Sequence, residues 1–244
     1  MIRGWGVTDK GAVRGQNQDS YYLDIPDAQF AVAVVCDGMG GAKAGNVAST
    51  LAVDSFVEAL RTRDTAPDTV PDRVLSEAAE LANAAVFHRA GTDPDCFGMG
   101  TTMVAVLLDD GEAHVLNIGD SRVYFIGEDG IQKITRDHSV VEDLVERGEI
   151  TAEEARLHPQ KNLITRALGS EEHLRADLYQ QQLVSGSYLL LCSDGLSNVV
   201  TDQEILYETL HGGEPESCCT RLLQIAMSRG APDNVTVVLL RVDE

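Results

Sequence analysis

Apolar and polar positions change period several times along the chain, and each change marks an element. Phe30-Ala-Val-Ala-Val-Val-Cys36 is a short, continuous, β-branched run stopped by Asp37-Gly38, which predicts a strand buried on both faces. Ala48, Leu51, Ala52, Ser55, Phe56, Ala59 and Leu60 then recur at three- and four-residue spacing, predicting a helix with one core face. Pro71 opens a second helix, with Val74, Ala78, Leu81 and Ala85 expected along one stripe. From Thr101 to Thr135 the period falls to two. Turn signals at Asp110-Gly111, Gly119-Asp120 and Asp129-Gly130 divide this stretch into an expected antiparallel meander of about four strands.

The segment from Asp137 to Gly169 is polar and Glu-rich and carries a capping-box pattern at Thr151–Glu154, so it reads as a surface insertion with a short helix. Ser187–Cys192 predicts another buried strand, ending at Ser193-Asp194-Gly195. Thr201–Glu204 opens a second capped helix, a further helix is expected over Glu216–Arg229, and Asn234–Arg241 reads as a final strand. Strands outnumber helices, and the helices fall between groups of strands. That order fits an α+β fold of two packed sheets flanked by helices better than a doubly wound parallel sheet. With no linker, repeat or low-complexity run, one domain over residues 1–244 is the expectation.

Composition narrows the class. Hydrophobic residues make up 43% and charged residues 24%, an ordinary globular balance that excludes disorder and collagen-like repeats. The net charge of −20 argues against nucleic acid and anionic lipid, which need clustered Lys and Arg. No run reaches the roughly 18–20 apolar residues that span a bilayer, and MIRGWGVTDK has no apolar signal region, so a cytoplasmic protein without membrane association is expected. Five cysteines without C-x-x-C spacing point to buried thiols rather than disulfides or zinc.

Candidate chemistry lies in acids at the ends of apolar runs: Asp37, Asp120, Asp194 and Asp233, with Asp19 in Arg14-Gly-Gln-Asn-Gln-Asp19. Singly, each is an ordinary turn or cap residue. Gathered at one sheet edge, they would raise one another's pKa unless cations neutralised them. An oxygen-only donor set selects hard ions such as Mg²⁺ or Mn²⁺, and a glycine such as Gly38 lets a carbonyl approach the ion. Other phosphate chemistries fail. Gly40–Gly45 lacks the P-loop order, no strand precedes Asp93-Pro-Asp95, and Ser193-Asp194-Gly195 is not a nucleophile elbow.

Arg14-x-x-Asn17-Gln18-Asp19, Val35-Cys-Asp37-Gly38-Met-Gly-Gly41, Gly100-Thr-Thr102, Asn117-Ile-Gly119-Asp120-Ser121-Arg122, Thr135-Arg-Asp-His138-Ser139, Leu191-Cys-Ser-Asp194-Gly195-Leu196 and Asp233-Asn234-Val-Thr236 run in one order through the chain. Together they resemble the motifs of the metal-dependent PP2C-type (PPM) protein phosphatases, most nearly the compact bacterial members. The resemblance implies a four-layer αββα sandwich and hydrolysis of phosphoserine and phosphothreonine by a metal-bridging hydroxide, opposing Ser/Thr kinase signalling. It implies that Asp37 bridges two Mn²⁺ or Mg²⁺ ions, that the Gly38 carbonyl serves one of them, and that Asp194 and Asp233 complete the other. Asp120, sharing Asp194, matches the residue for a third, weaker ion. Asp19 would act through water, Arg14 would grip the substrate phosphate, and residues 137–168 would form a mobile flap. Partners implied are phosphorylated proteins, a Ser/Thr kinase or its targets, met by a monomer.

Two departures stand out. Met39 and Ala42 occupy positions where family members carry a histidine proposed as general acid, and Asn46 stands where bacterial members usually have Glu. His138 is a candidate substitute acid. The missing histidine also motivates a competing reading, a scaffold that binds phosphorylated partners without efficient chemistry. A purely structural acidic protein is a third.

Overall fold

The computed structural model describes residues 1–62 and 70–243, apart from the side chains of Ala42 and Lys43, so the departure expected at Ala42 lies outside the described side chains. Eleven strands form two antiparallel sheets among the described residues. The first sheet runs β1 (Ile2–Asp9), β11 (Val235–Val242), β10 (Tyr188–Cys192), β7 (Arg122–Gly127), β8 (Gly130–Lys133). The second runs β2 (Asp19–Asp24), β3 (Phe30–Met39), β5 (Met103–Asp109), β6 (Glu112–Ile118), β9 (Asp177–Gln182), with the two-residue β4 (Gly100–Thr101) beside the end of β3.

The period of two decides the layering. In β3, Ala31, Ala33 and Val35, with Val104 and Val106 of neighbouring β5, face the other sheet, where Leu189, Leu191 and Val238 meet them. The alternate residues Val32, Val34 and Cys36 pack outward beneath α1 (Gly41–Thr62) and α2 (Pro71–Thr92). On the first sheet, Leu190, Cys192, Val237 and Leu239 pack outward against α5 (Asp194–Ser197), α6 (Asp202–Leu210) and α7 (Cys218–Ser228). Three apolar layers thus separate four structural ones, an αββα sandwich as expected. All five cysteines are buried and free.

Two expectations need correction. The four strands after Thr101 are present, but they do not form one meander. β5 and β6 pair in one sheet and β7 and β8 in the other, so Gly119-Asp120 is a crossing between sheets. Gly119 sits at φ +102°, where a Cβ would lie 2.6 Å from the Thr102 methyl, so the crossing needs glycine there. On α2 the buried stripe is Val74, Leu75, Ala78, Ala79, Ala82 and Val86, whereas Leu81 is 60% exposed. Leu81 lies out of phase with the three- and four-residue steps that link Leu75 to Val86.

The polar insertion folds as α3 (Val140–Glu146) and α4 (Ala152–Leu157), and the capping boxes at Thr151–Glu154 and Thr201–Glu204 are both present. A narrow neck closes the insertion, with Val140 N–H donating to the Leu163 carbonyl at 2.9 Å and Thr165 N–H to the His138 carbonyl at 2.8 Å. No helix among the described residues is long and apolar enough to cross a membrane.

Candidate metal centre

The strand ends bring the acids together. Asp19 opens β2 directly opposite Asp37 near the end of β3. Asp194 opens α5 immediately after β10, Asp233 lies just before β11, and Asp120 lies in the crossing from β6 to β7. Asp37, Gly38, Asp120, Asp194, Asp233 and Arg14 all line one cavity of about 740 Å³.

Small residues and hydrogen bonds fix this convergence. A Cβ on Gly38 would lie 2.0 Å from the Gly45 carbonyl oxygen, and one on Gly195 would lie 1.9 Å from that of Asn234, so glycine is the residue these close approaches admit. The Asp37 N–H donates to Thr102 Oγ1 at 2.9 Å, and the Thr102 N–H returns a bond to the Asp37 carbonyl at 2.9 Å. Asn234 holds the Arg14 loop. Its side-chain amide donates to the carbonyls of Lys10 and Gln16 at 2.9 and 3.0 Å, and its Oδ1 accepts from Gln18 N–H at 2.8 Å. Arg14 Nη2 then donates to Asp233 Oδ2 at 2.7 Å.

Asp19 is set behind the cavity. It is 5% exposed, and its Oδ2 accepts from Ser193 Oγ and Thr236 Oγ1, both at 2.7 Å. Its Oδ1, like that of Asp194, is buried without a hydrogen-bond partner. Burial above all, and then the surrounding acids, raise the proton affinity of the group. Asp19 is pushed up to about 7. Asp37 lies well above the usual carboxylate range through burial and the charges of Asp19 and Asp194. Asp120 is raised by burial and Asp194, and Asp194 by burial and Asp233, with a hydrogen bond from Asp37 working in the opposite sense.

Among the described residues no three His, Cys, Asp or Glu side chains form a finished ligand set. The donor set still fits hard divalent cations. It is all oxygen, two of its buried oxygens lack partners, and its excess negative charge is what such an ion relieves.

The expected residues Arg14, Asp37, Gly38, Asp120, Asp194 and Asp233 therefore meet, with Asp19 against them. His138 does not. It is 1% exposed and lies outside the cavity wall, so its candidacy as the substitute acid fails. Met39 does line the cavity and has no proton to give. Sequence reasoning missed Asn162 and Ile164, through which the flap reaches the cavity, and no sequence signal marks them. It also missed the stitching role of Asn234, although the residue lies inside a quoted motif.

The protein phosphatase 2C family model matches residues 12–213. The chain belongs to that family. It is 39% identical over 242 residues to the serine/threonine protein phosphatase PstP of Mycobacterium tuberculosis, with 99% of this chain covered but only 45% of PstP, so it spans about half of that relative. It is 37% identical over 241 residues to the protein phosphatase PhpP of Streptococcus pneumoniae, covering 98% and 96% of the two chains. Among solved structures, the catalytic domain of PstP in complex with two manganese ions superposes with a TM-score of 0.88 at 35% identity, covering 100% of this chain and 99% of that one. This PP2C chain thus shares its family's fold along its whole described length.

Proposed function

We propose that the chain is a metal-dependent protein Ser/Thr phosphatase acting on phosphoserine and phosphothreonine, with residues 1–244 as one catalytic unit and residues 137–168 as its flap. The observation that carries this reading is the meeting of Asp37, Asp120, Asp194, Asp233 and Arg14 on one cavity. Asp37, the Gly38 carbonyl, Asp194 and Asp233 would hold two Mn²⁺ or Mg²⁺ ions, and Asp120 with Asp194 a third. Bound there, such ions supply Lewis acidity toward the phosphoryl group and make water a better nucleophile at neutral pH.

The chain's own residues do the rest. Arg14's planar fork is placed to hold two phosphate oxygens and to offset charge as the bond to the leaving oxygen breaks. Asp19, buried behind the cavity with one oxygen unpartnered, would act through a water, accepting its proton. Thr102 fixes the Asp37 backbone, and Asn162 and Ile164 narrow the opening from the flap side. The natural partners are phosphoproteins of a Ser/Thr kinase system, met by a cytoplasmic monomer. Phosphate release from a phosphothreonine peptide should require added Mn²⁺ or Mg²⁺ and stop on chelation. Tight phosphopeptide binding with no release would instead support the binding-scaffold reading.

A further inference from the structure

The cavity of the carboxylates continues beneath the flap. A second cavity of about 320 Å³ shares Asp120 and Asp194 with it and runs between α3 and α4 on one side and the segment after α5 on the other. Val141 and Val145 of the flap and Val199 and Val200 opposite give it apolar walls.

Its cations divide into two kinds. Arg122 is bound to Asp137 through Nη2 at 2.7 Å and to the Tyr124 hydroxyl at 3.1 Å, and Lys133 bridges Asp137 at 3.3 Å and Glu142 at 3.5 Å. These hold the flap root to β7 and β8. Arg156 and Lys161 also line the groove, yet among the described residues neither side chain has an ion-pair partner. Lys10, Arg61 and Arg175 likewise have no ion-pair partner among the described residues, but of these five cations only Arg156 and Lys161 line the groove. They are not used to hold the fold together. They stand where a peptide leaving the metal cavity along the groove must pass, on a molecule whose charge otherwise repels acidic peptides.

We infer that this groove is a subsite for the residues flanking the phosphorylated side chain, and that Arg156 and Lys161 select substrates with an acidic flank. The inference rests on the reading of the chain as a phosphoprotein phosphatase. Asp or Glu beside the phosphoresidue would pair with these cations while its neighbours pack on the valines. Such exposed pairs act through charge and are screened by salt.

The test uses the full chain with Mn²⁺, an R156E/K161E double variant, and two labelled phosphothreonine peptides alike except for Glu or Gln at the flanking positions. For hydrolysis, KM for the Glu peptide should rise about tenfold in the variant, while the Gln peptide and an aryl phosphate stay within about twofold. The Glu peptide's advantage in the wild type should also shrink at 0.5 M NaCl, a screening concentration well above the physiological range. Equal loss for both peptides, or no change for either, overturns the inference. Fluorescence anisotropy of the same peptides gives a reading independent of turnover. If wild type hydrolyses nothing but binds the Glu peptide better in a way the variant loses, the phosphatase reading fails and the subsite stands. If it hydrolyses both peptides yet binds them alike, the subsite fails alone.

Discussion

Asp19 and Asp37 are cross-strand partners, two carboxylates set face to face in the β2–β3 ladder. Like charges directly opposite one another destabilise a sheet, and here burial adds to the cost. The arrangement is one that folding alone would not favour. Asp37→Asn should therefore stabilise the chelated protein by on the order of 1 kcal/mol or more, which for a chain of this size is about 2–4 °C per kcal/mol in melting temperature. The same variant should lose most of the thermal shift that Mn²⁺ gives the wild type. A variant that melts lower than wild type in chelator would contradict the reading of this pair as a cation site.

The pH dependence follows from Asp19. Its carboxyl is raised from an ordinary 3.8 to about 7, chiefly by burial, so the folded chain holds a proton that the unfolded chain releases. Stability from this group is lost as pH rises from the ordinary carboxylate range toward 7 and regained on acidification. Asp19→Asn, whose amide oxygen can still accept from Ser193 and Thr236, should be more stable than wild type at pH 7.5 in chelator. The gap should close toward pH 5. Melting curves of the two proteins across that range measure it, and a gap independent of pH would show that Asp19 does not titrate there.

Ser193 links two strands to Asp19. Its hydroxyl donates to Asp19 Oδ2 at 2.7 Å and accepts from the Thr236 N–H at 3.0 Å, all out of contact with water. Ser193→Ala strands a buried N–H and weakens the hold on a buried carboxylate, at about 1–3 kcal/mol. Denaturant unfolding should show that loss with an unchanged m-value.

Arg14 separates stability from catalysis. Its pair with Asp233 is half-exposed on the arginine side, with 53% of that side chain accessible, so the pair adds no more than about 1 kcal/mol to stability. Arg14→Ala should leave the melting temperature nearly unchanged and reduce kcat/KM for a phosphopeptide about 100-fold. Calorimetry should find Mn²⁺ binding equal or tighter, because Asp233 loses a competing cation. Weaker Mn²⁺ binding would show that Arg14 supports the ligands rather than the substrate.

Much of this was readable in the chain because strands announce themselves by period. The runs that end at Asp37 and Asp194, and the one that starts after Asp233, predicted both the sheets and the place where charge would collect. Four strands escaped, β1, β2, the two-residue β4 and β9. β2 mixes Ser, Tyr and Asp, and β9 is an edge strand of alternating exposure, Asp177–Gln182, whose three consecutive glutamines carry no apolar signal. The β6–β7 crossing was misread as a hairpin because local turn chemistry is the same for a chain that reverses and one that changes sheet. Asn162, Arg156 and Lys161 could not be placed, since only the neck between Val140 and Leu163 brings the flap over the cavity.

His138 gives the last prediction. Its Nδ1 accepts the Gly119 N–H at 3.1 Å, so the ring's proton is on Nε2, 3.0 Å from Asp177 Oδ2. Burial depresses its pKa, with the Asp177 hydrogen bond pulling the other way and Arg166 reinforcing burial. A histidine kept neutral loses stability on acidification, since below an ordinary 6.5 the unfolded chain protonates first. The residue fastens the flap neck to the Asp120 turn and has no route to a leaving oxygen. His138→Gln should cost about 1–3 kcal/mol of stability through the unpaired Gly119 N–H and the lost bond to Asp177, which keeps Arg166. The alkaline limb of the pH–rate profile, which a proton donor would set, should stay where it is in the fraction that remains folded. If that limb disappears while kcat falls 100-fold or more in fully folded protein, His138 is the proton donor that Met39 cannot be, and the flap must open far enough to bring it to the substrate.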